Sequence, residues 1–212
     1  MARTSEDLHG NAPDKSPVAL LIIDMINDMS FDDGPALLEY ALPAARNIAR
    51  LRTAARAAQI PIVYVNDNFG RWQSNFSKLV EHCLRGECLG RPMAELLRPN
   101  EQDYFVLKPK HSGFFHTPLE ILLDHLNAHT LILTGITADI CVLFTANDAY
   151  MRDYRLFVPR DCVAAVRPEQ AEHALELIER ILKADTRPSS AIDLAELASG
   201  PVHSRRRVTT EG

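Results

Sequence analysis

The chain has 212 residues, of which 46% are hydrophobic and 24% are charged, a composition typical of one globular domain with a sizeable core. Its 23 Lys and Arg against 28 Asp and Glu give a formal charge of -5, which excludes the basic surface of a nucleic-acid-binding protein and favours a small-molecule substrate. It shows neither an apolar stretch of the ~20 residues that cross a membrane nor the apolar core of a secretory signal. Its four cysteines are too few and too unevenly spaced for a disulfide framework, so we expect a cytoplasmic protein with reduced thiols and no membrane partner.

The first half of the chain begins with a buried strand and ends in an irregular segment. Residues 18–24 (VALLIID) form an apolar run that ends in an acid, which is typical of a strand covered on both faces. Residues 43–59 have apolar positions at a helical period and predict a helix, which a strand over 61–65 follows. Residues 66–100 hold glycines and prolines without a sustained period except around residues 93–97, and predict a long irregular connection, which is usually functional.

Strands and helices alternate regularly through the second half. The apolar patterns predict strands, each followed by a helix, over 104–108 and 119–127, 130–135 and 139–152, and 155–159 and 169–185. This alternation predicts an α/β fold with a doubly wound, mostly parallel sheet and helices on both faces. The polar ends, residues 1–16 and 189–212, are predicted to be flexible tails around a single domain over 17–188.

Three reactive side chains stand at the ends of predicted parallel strands. Asp24 closes the first strand, Lys108 closes the third, and Cys141 lies just past the fourth, in the first turn of the following helix. In an open parallel sheet, ligands bind outside the carboxyl ends of the strands. The three side chains are therefore expected to converge on one edge of the sheet and are candidates for a catalytic centre.

The position of Cys141 at a helix start affects the expected chemistry of its thiol. The helix dipole and a nearby cation can lower a thiol pKa from ~8.5 to ~3.5–7.5, which favours the thiolate. Asp139 in the same turn opposes this by charge repulsion, so a base such as Asp24 and a lysine such as Lys108 would help to activate the thiol. Each residue also has a structural interpretation, with Cys141 as a small buried hydrophobe, Asp24 as a turn or cap residue and Lys108 as a solvated strand end.

Three segments of the chain resemble the signature segments of the isochorismatase-like cysteine hydrolase family. The resemblance rests on VALLIIDMINDM (18–29), FVLKPKHSGFF (105–115) and LILTGITADICV (131–142). It runs over about residues 17–188 and implies a Rossmann-like doubly wound sheet. It also implies a catalytic triad of Asp24, Lys108 and Cys141. Lys110 is the alternative lysine, but Lys108 matches the spacing of the family better.

The same resemblance implies a mechanism and an assembly. A cis peptide bond between Ile136 and Thr137 would direct the backbone N–H groups of Thr137 and Cys141 towards one oxyanion. Asp24 would take the thiol proton, Cys141 would attack a carbonyl, and the departing nitrogen would receive the proton. Water would then hydrolyse the thioester, while Lys108 supports the charged groups. We therefore expect a homodimer or homotetramer that cleaves a carbon–nitrogen bond in a small amide, carbamoyl or ureido compound without a cofactor.

The chain departs from the metal-binding pattern of the nicotinamidases in this family. Those enzymes carry an Asp-x-His element after the second strand and another His several residues later. Here Asp67 matches the acid, whereas Phe69 and Asn75 occupy the positions of the two histidines. We therefore predict no metal and no nicotinamidase activity.

A second group of potential ligands lies in the segment EHCLRGEC. His82, Cys83 and Cys88 lack a second CxxC or HxxxH partner, so a solvated loop is favoured over a zinc site. Cys141 likewise has no resolving cysteine close in sequence, which argues against a redox-sensing thiol.

The irregular segment is also expected to contribute to the substrate pocket. Asn68, Phe69 and Trp72 are candidates for substrate contacts, although Phe69, Trp72 and the neighbouring Phe76 could equally anchor the segment to the core. Two alternatives to an amidohydrolase are an isochorismatase-type vinyl ether hydrolase and a non-catalytic binding member of the family. Some isochorismatases have no cysteine at the nucleophile position, so the complete triad favours the amidohydrolase.

Overall fold

A parallel sheet forms the centre of the protein. A computed structural model describes residues 15–69, 75–85 and 87–200. The strands in these ranges are β1 (Val18–Ile23), β2 (Ile62–Asp67), β3 (Tyr104–Lys108), β4 (Thr130–Ile136), β5 (Arg155–Phe157) and β6 (Val163–Ala164). All pairs are parallel in the order β3-β2-β1-β4-β5, and β6 pairs with the end of β4.

Helices cover both faces of this sheet. They are α1 (Gly34–Ala57), α2 (Phe76–Leu84), α3 (Arg91–Leu96), α4 (Leu119–Leu126), α5 (Leu143–Tyr150), α6 (Pro168–Leu182) and α7 (Leu194–Ser199). Buried residues of α1, α2, α3 and α7 belong to the core on one face, and those of α4, α5 and α6 belong to the core on the other. The predicted doubly wound α/β fold is therefore confirmed.

Strand β1 explains why the first apolar run has no polar alternation. Val18, Leu20 and Ile22 point into the core beneath α1, while the residues between them point into the opposite core. Every residue of β1 has an exposed fraction of 0%. A strand buried on both faces needs an apolar side chain at each position, which is what the sequence shows.

Helix α1 begins at Gly34, well before the predicted start at Pro43. Leu37 and Ala41 are buried against the sheet, so the apolar face continues upstream of the proline. A proline inside a helix removes one backbone hydrogen bond and often bends the helix. Here the packing of the upstream turns outweighs that loss, and Pro43 lies within the helix.

The segment 66–100 is more regular than its sequence indicates. Strand β2 continues into it, and helices α2 and α3 lie within it. Asn75 caps α2 with its side chain, and Phe76 and Cys83 bury one face of that helix. The prediction of an irregular connection is wrong for α2, because a helix this short shows too few turns for a recognisable period, whereas α3 overlaps the stretch around residues 93–97 where a period is visible.

The structure describes only part of each predicted tail. Residues 1–14 and 201–212 lie outside the described residues, so the flexible tails stay predictions there. Ser16, within the predicted N-terminal tail, is buried, and its N–H donates to the last carbonyl of α4 at 2.9 Å. The prediction of a tail over 189–212 is wrong for helix α7, because its buried Leu194 packs into the core beneath α1. No helix in the described ranges is long and apolar enough to cross a membrane.

Candidate active site

The strand order places a crevice at the carboxyl ends of β1 and β4. These two strands are neighbours, and the chain leaves them towards opposite faces of the sheet, the arrangement that opens a ligand site in parallel α/β folds. Asp24 follows β1, and Cys141 lies in a π-helical turn (Ala138–Val142) after β4. Lys108 is the last residue of β3. The structure thus brings together the three side chains that the sequence places at strand ends.

Lys108 contacts both of the other two side chains. Its Nζ lies 2.8 Å from Asp24 Oδ2 and 3.4 Å from Cys141 Sγ. The Cys141 thiol and the Asp24 carboxylate, which share Lys108 as a partner, also influence each other's pKa. The Lys108 side chain has an exposed fraction of 0%, so its interpretation as a solvated strand end is wrong. Lys110, the alternative lysine, is exposed.

Asp24 is held in place by the neighbouring strand end. Its Oδ1 accepts a hydrogen bond from the backbone N–H of Asp67 at 2.7 Å, while Oδ2 accepts from Lys108. Its backbone has a φ of 53°, in the left-handed region that few residues other than glycine adopt. Both carboxylate oxygens therefore have donors, and the orientation of the side chain is fixed from two directions.

Burial and charge together decide the protonation states. Burial raises the pKa of Asp24, although Lys108 works in the opposite direction, so this carboxylate is a stronger base than an exposed aspartate. Burial and the Asp24 charge raise the pKa of Cys141 to about 12, against the opposing effect of Lys108. Burial works to lower the pKa of Lys108, but Asp24 and Cys141 outweigh it and raise that pKa. The helix start therefore does not decide the state of Cys141, and the resting pair is a thiol beside a strong base.

The peptide bond between Ile136 and Thr137 is cis, as the resemblance implies. Thr137 leads directly into the π-helical turn that carries Cys141, and such turns are frequent at functional sites. Among the described residues, Thr137 Oγ1 and Asp139 Oδ1 are buried without a hydrogen-bond partner. The use of the Thr137 and Cys141 N–H groups as an oxyanion hole stays a prediction.

Gly135 allows the strands that carry the site to approach closely. Its φ is 122°, and a Cβ at this position would lie 2.0 Å from the carbonyl oxygen of Ile23. Only glycine combines this conformation with the missing side chain. Because Ile23 precedes Asp24 and Gly135 lies just before the cis bond, this contact sets the spacing between the two strand ends.

Thr145 and Asp67 are the contributors to the site whose contacts the sequence did not indicate. Thr145 is fully buried, and its Oγ1 donates to the Cys141 carbonyl at 2.7 Å and accepts from the Gly113 N–H at 3.0 Å. It therefore ties the nucleophile turn to the segment after Lys108. A threonine one turn after the nucleophile is a weak signal, since a threonine hydroxyl often bonds the carbonyl four residues back.

The predicted substrate-contacting residues have different environments. Asn68 is largely buried and continues the pairing of β2 with β3, its N–H donating to the Lys108 carbonyl at 3.0 Å. Phe69 is 48% exposed, so it does not anchor the segment to the core, whereas Phe76 is buried and stacks on Phe105. Trp72 lies outside the described residues. Substrate contact by Asn68, Phe69 and Trp72 stays a prediction.

The residues at the nicotinamidase metal position do not fit a metal. Asp67 is present, but Phe69 has no donor atom, and the Asn75 side-chain oxygen accepts the Lys78 N–H at 2.8 Å as the cap of α2. Within the described ranges, no three His, Cys, Asp or Glu side chains are grouped to hold a metal ion.

The three potential ligands in the segment EHCLRGEC, which are His82, Cys83 and Cys88, have separate environments. His82 Nε2 lies 2.8 Å from Asp28 Oδ2, Cys83 is buried in the core, and Cys88 is half-buried. His82 and Cys83 lie on helix α2, so the prediction of a solvated loop is wrong for them. Packing of the apolar face of α2 determines their positions.

The arrangement can perform acyl transfer. A buried ammonium contacts both a thiol nucleophile and a carboxylate that can remove the thiol proton. The same carboxylate can return the proton to a leaving group, because its raised pKa makes the protonated form accessible.

This chain is similar to known proteins in both sequence and fold. A family model described as the isochorismatase domain matches residues 18–186. An uncharacterized isochorismatase family protein of Bacillus subtilis, YaaI, is 41% identical over 81% of this chain and 93% of its own length. The ureidoacrylate amidohydrolase RutB of Yersinia enterocolitica is 29% identical over 75% of this chain and 80% of its own length.

Comparison with solved structures shows a similar fold. The crystal structure of N-carbamoylsarcosine amidase from Thermoplasma acidophilum superposes with a TM-score of 0.64 at 29% identity, covering 83% of this chain and 98% of that one. This likeness in fold accompanies the family match along most of the chain. The chain therefore belongs to the isochorismatase family and is a hydrolase.

Proposed function

We propose that this hydrolase cleaves a carbon–nitrogen bond in a small carboxamide, carbamoyl or ureido compound through a thioester on Cys141. The observation that carries the proposal is the buried Lys108 ammonium, which contacts the Asp24 carboxylate and the Cys141 sulfur at once. The names of two relatives, a ureidoacrylate amidohydrolase and an N-carbamoylsarcosine amidase, describe cleavage of the same kind of bond.

The first half of the reaction forms the thioester. Asp24 removes the proton of the Cys141 thiol, and the sulfur attacks the substrate carbonyl carbon. The backbone N–H groups of Thr137 and Cys141 stabilise the oxyanion that results. Asp24 then gives its proton to the departing nitrogen, the C–N bond breaks, and ammonia or an amine leaves.

The second half releases the acid. Asp24 takes a proton from a water molecule as that water attacks the thioester carbonyl, and the C–S bond breaks. The proton then returns from Asp24 to the Cys141 sulfur, which restores the resting thiol. Lys108 stays charged throughout and stabilises whichever of Asp24 and Cys141 carries the negative charge, so no cofactor enters either half-reaction.

An ammonia-release screen tests this proposal. The purified protein is incubated with small carboxamides, carbamoyl compounds and ureido acids, and Cys141→Ala and Cys141→Ser serve as controls. We expect ammonia release by the unsubstituted protein and losses of at least about a thousandfold in both variants. Full turnover in Cys141→Ala would rule out the thioester. Release of pyruvate from a vinyl ether without ammonia release from any amide would instead assign the isochorismatase-type reaction.

Assembly is a separate part of the proposal. We propose a homodimer or homotetramer, as the family resemblance implies. Sedimentation velocity at several protein concentrations measures this directly, and a monomer at the highest concentration would contradict it.

A further inference from the structure

Asp67 makes three contacts at the end of β2, and each of them is with another residue of the chain. Its backbone N–H donates to Asp24 Oδ1 at 2.7 Å. Its Oδ1 accepts the N–H of Phe69 at 2.6 Å, which holds Phe69 in a left-handed conformation with a φ of 51°. Its Oδ2 lies 3.5 Å from Lys108 Nζ, beyond the usual length of a charge-assisted hydrogen bond.

Asp67 Oδ2 lies close to the reacting atoms. Asp67 Oδ2 and Cys141 Sγ lie 3.5 Å and 3.4 Å from the same Lys108 nitrogen, so their separation cannot exceed the sum of these two distances. The Asp67 side chain is 34% exposed, whereas that of Lys108 is 0% exposed. The Asp67 side chain is therefore accessible to solvent, and hence to a substrate, within this distance of the nucleophile.

The separation of Asp67 Oδ2 and Cys141 Sγ allows one small acyl group to contact both atoms. A carbonyl carbon poised for attack lies about 3–3.5 Å from the nucleophile. A nitrogen bonded to that carbon can extend towards Asp67 Oδ2 and donate a hydrogen bond of about 2.9 Å. A nitrogen on either side of the carbonyl is thus within reach of Asp67 Oδ2, and because Asp24 serves the nitrogen that leaves, the retained nitrogen is the one available to Asp67.

Charge reinforces this preference. Lys108 is the buried cation of the site, and it already contacts the Asp24 and Asp67 carboxylates. On this side of the nucleophile, a substrate carboxylate would meet net negative charge, whereas an N–H group would find an anionic acceptor.

We propose that Asp67 is a specificity-determining residue whose Oδ2 accepts a hydrogen bond from an N–H on the retained side of the scissile carbonyl. Such a substrate has nitrogen on both sides of that carbonyl. Asp24 protonates the nitrogen that leaves, and Asp67 recognises the nitrogen that stays. The inference rests on the proposed amidohydrolase function and narrows its substrate class to ureido and carbamoyl-amine compounds.

A matched pair of compounds tests this assignment. One is a ureido acid that ends in NH–CO–NH2, and the other is the carboxamide acid in which CH2 replaces the retained N–H. Both release ammonia, so one assay measures both. We expect the unsubstituted protein to favour the ureido acid by about tenfold or more in kcat/KM, because the carboxamide leaves Asp67 unpaired.

Substitution of Asp67 separates recognition from support of the loop. Asp67→Asn keeps an oxygen for the Phe69 N–H but replaces the free acceptor by an NH2 donor. We expect this variant to lose most of the preference, chiefly through a higher KM for the ureido acid, so that kcat/KM falls by a larger factor for the ureido acid than for the carboxamide. Asp67→Ala should also disturb Phe69 and lower kcat/KM for both compounds. Glu176→Gln, on the exposed face of α6, is the control for loss of one negative charge.

The outcomes distinguish failure of this inference from failure of the proposed function. Equal kcat/KM for the two compounds in the unsubstituted protein, or an unchanged preference in Asp67→Asn, overturns the role of Asp67 while the amidohydrolase stands. Full turnover by Cys141→Ala overturns the amidohydrolase instead. Calorimetric binding of the same pair to Cys141→Ala keeps the test open where turnover is slow, because equal affinities there also overturn the role of Asp67.

Discussion

Lys108 Nζ lies 2.8 Å from Asp24 Oδ2 in a site where the lysine side chain is 0% exposed and the aspartate side chain is 9% exposed. Removing an ammonium from water is costly unless opposite charges and hydrogen bonds compensate. Here Asp24, Asp67 and Cys141 surround the ammonium and raise its pKa despite burial. The contacts that keep the buried Lys108 charged are therefore made by the same side chains that form the site, so a change at Lys108 should affect both folding stability and turnover.

Replacing Lys108 by Met should affect both stability and activity. The substitution leaves the Asp24 carboxyl buried without its cation, and breaking a buried pair from one side costs about 3–5 kcal/mol. We expect this loss in the free energy of unfolding, measured by urea denaturation, together with loss of turnover. Lys110→Met is the matched control, because that lysine is exposed. Equal effects of the two substitutions would contradict the assignment of Lys108.

Replacing Asp24 by Asn should move turnover and thiol reactivity in opposite directions. Turnover should fall by about a hundredfold or more, because the general base is lost. The pKa of Cys141 should fall, because burial remains but the neighbouring negative charge is gone, while Lys108 still favours the thiolate.

Alkylation by iodoacetamide, followed at Cys141 by mass spectrometry, measures the second effect. A drop of one pKa unit raises the thiolate fraction near neutral pH by about tenfold. Glu176→Gln provides a control with one negative charge removed elsewhere. Slower labelling in Asp24→Asn would mean that the Asp24 charge does not raise the pKa of the Cys141 thiol.

The acid limb of the pH dependence of kcat/KM should lie at a higher pH than an ordinary aspartate would give. The reaction needs ionised Asp24, so kcat/KM should rise as the pH increases through the pKa of that carboxyl. Burial raises this pKa above the ordinary aspartate value of about 3.9, so the limb should lie at a higher pH. On the alkaline side, the raised pKa of Lys108 keeps the ammonium charged beyond the ordinary range. An acid limb at or below the ordinary aspartate value would show that Asp24 is not the base.

Gly135→Ala should destabilise the fold strongly. The added Cβ would lie 2.0 Å from the Ile23 carbonyl oxygen, and the φ of 122° is unfavourable for any residue with a side chain. We expect a loss of about 3 kcal/mol in the free energy of unfolding. In Gly200→Ala the nearest backbone atom would be 3.4 Å away, so thermal denaturation should show little change in that control. A Gly135→Ala protein as stable as the original would mean that β1 and β4 can separate without cost.

Several features of the fold follow from local sequence alone. The continuous apolar run of β1 predicts a strand buried on both faces, because each residue faces one core or the other. The alternation of strands and helices predicts the doubly wound sheet, and the rule for strand ends predicts where Asp24, Lys108 and Cys141 lie. The short helices α2 and α7 were missed, because their stability depends on packing against distant residues and not on a long local period.

The sequence by itself determined which reactive groups the site contains and at which edge of the sheet they lie. Only the tertiary structure decided their protonation and their contacts. The helix start at Cys141 indicates a lowered thiol pKa, yet burial and the Asp24 charge raise it to about 12. Likewise, Asp67 matches a metal ligand in sequence but contacts Lys108 in space. Both outcomes have one physical reason: pKa values and hydrogen bonds depend on desolvation and on neighbours that folding brings from distant parts of the chain.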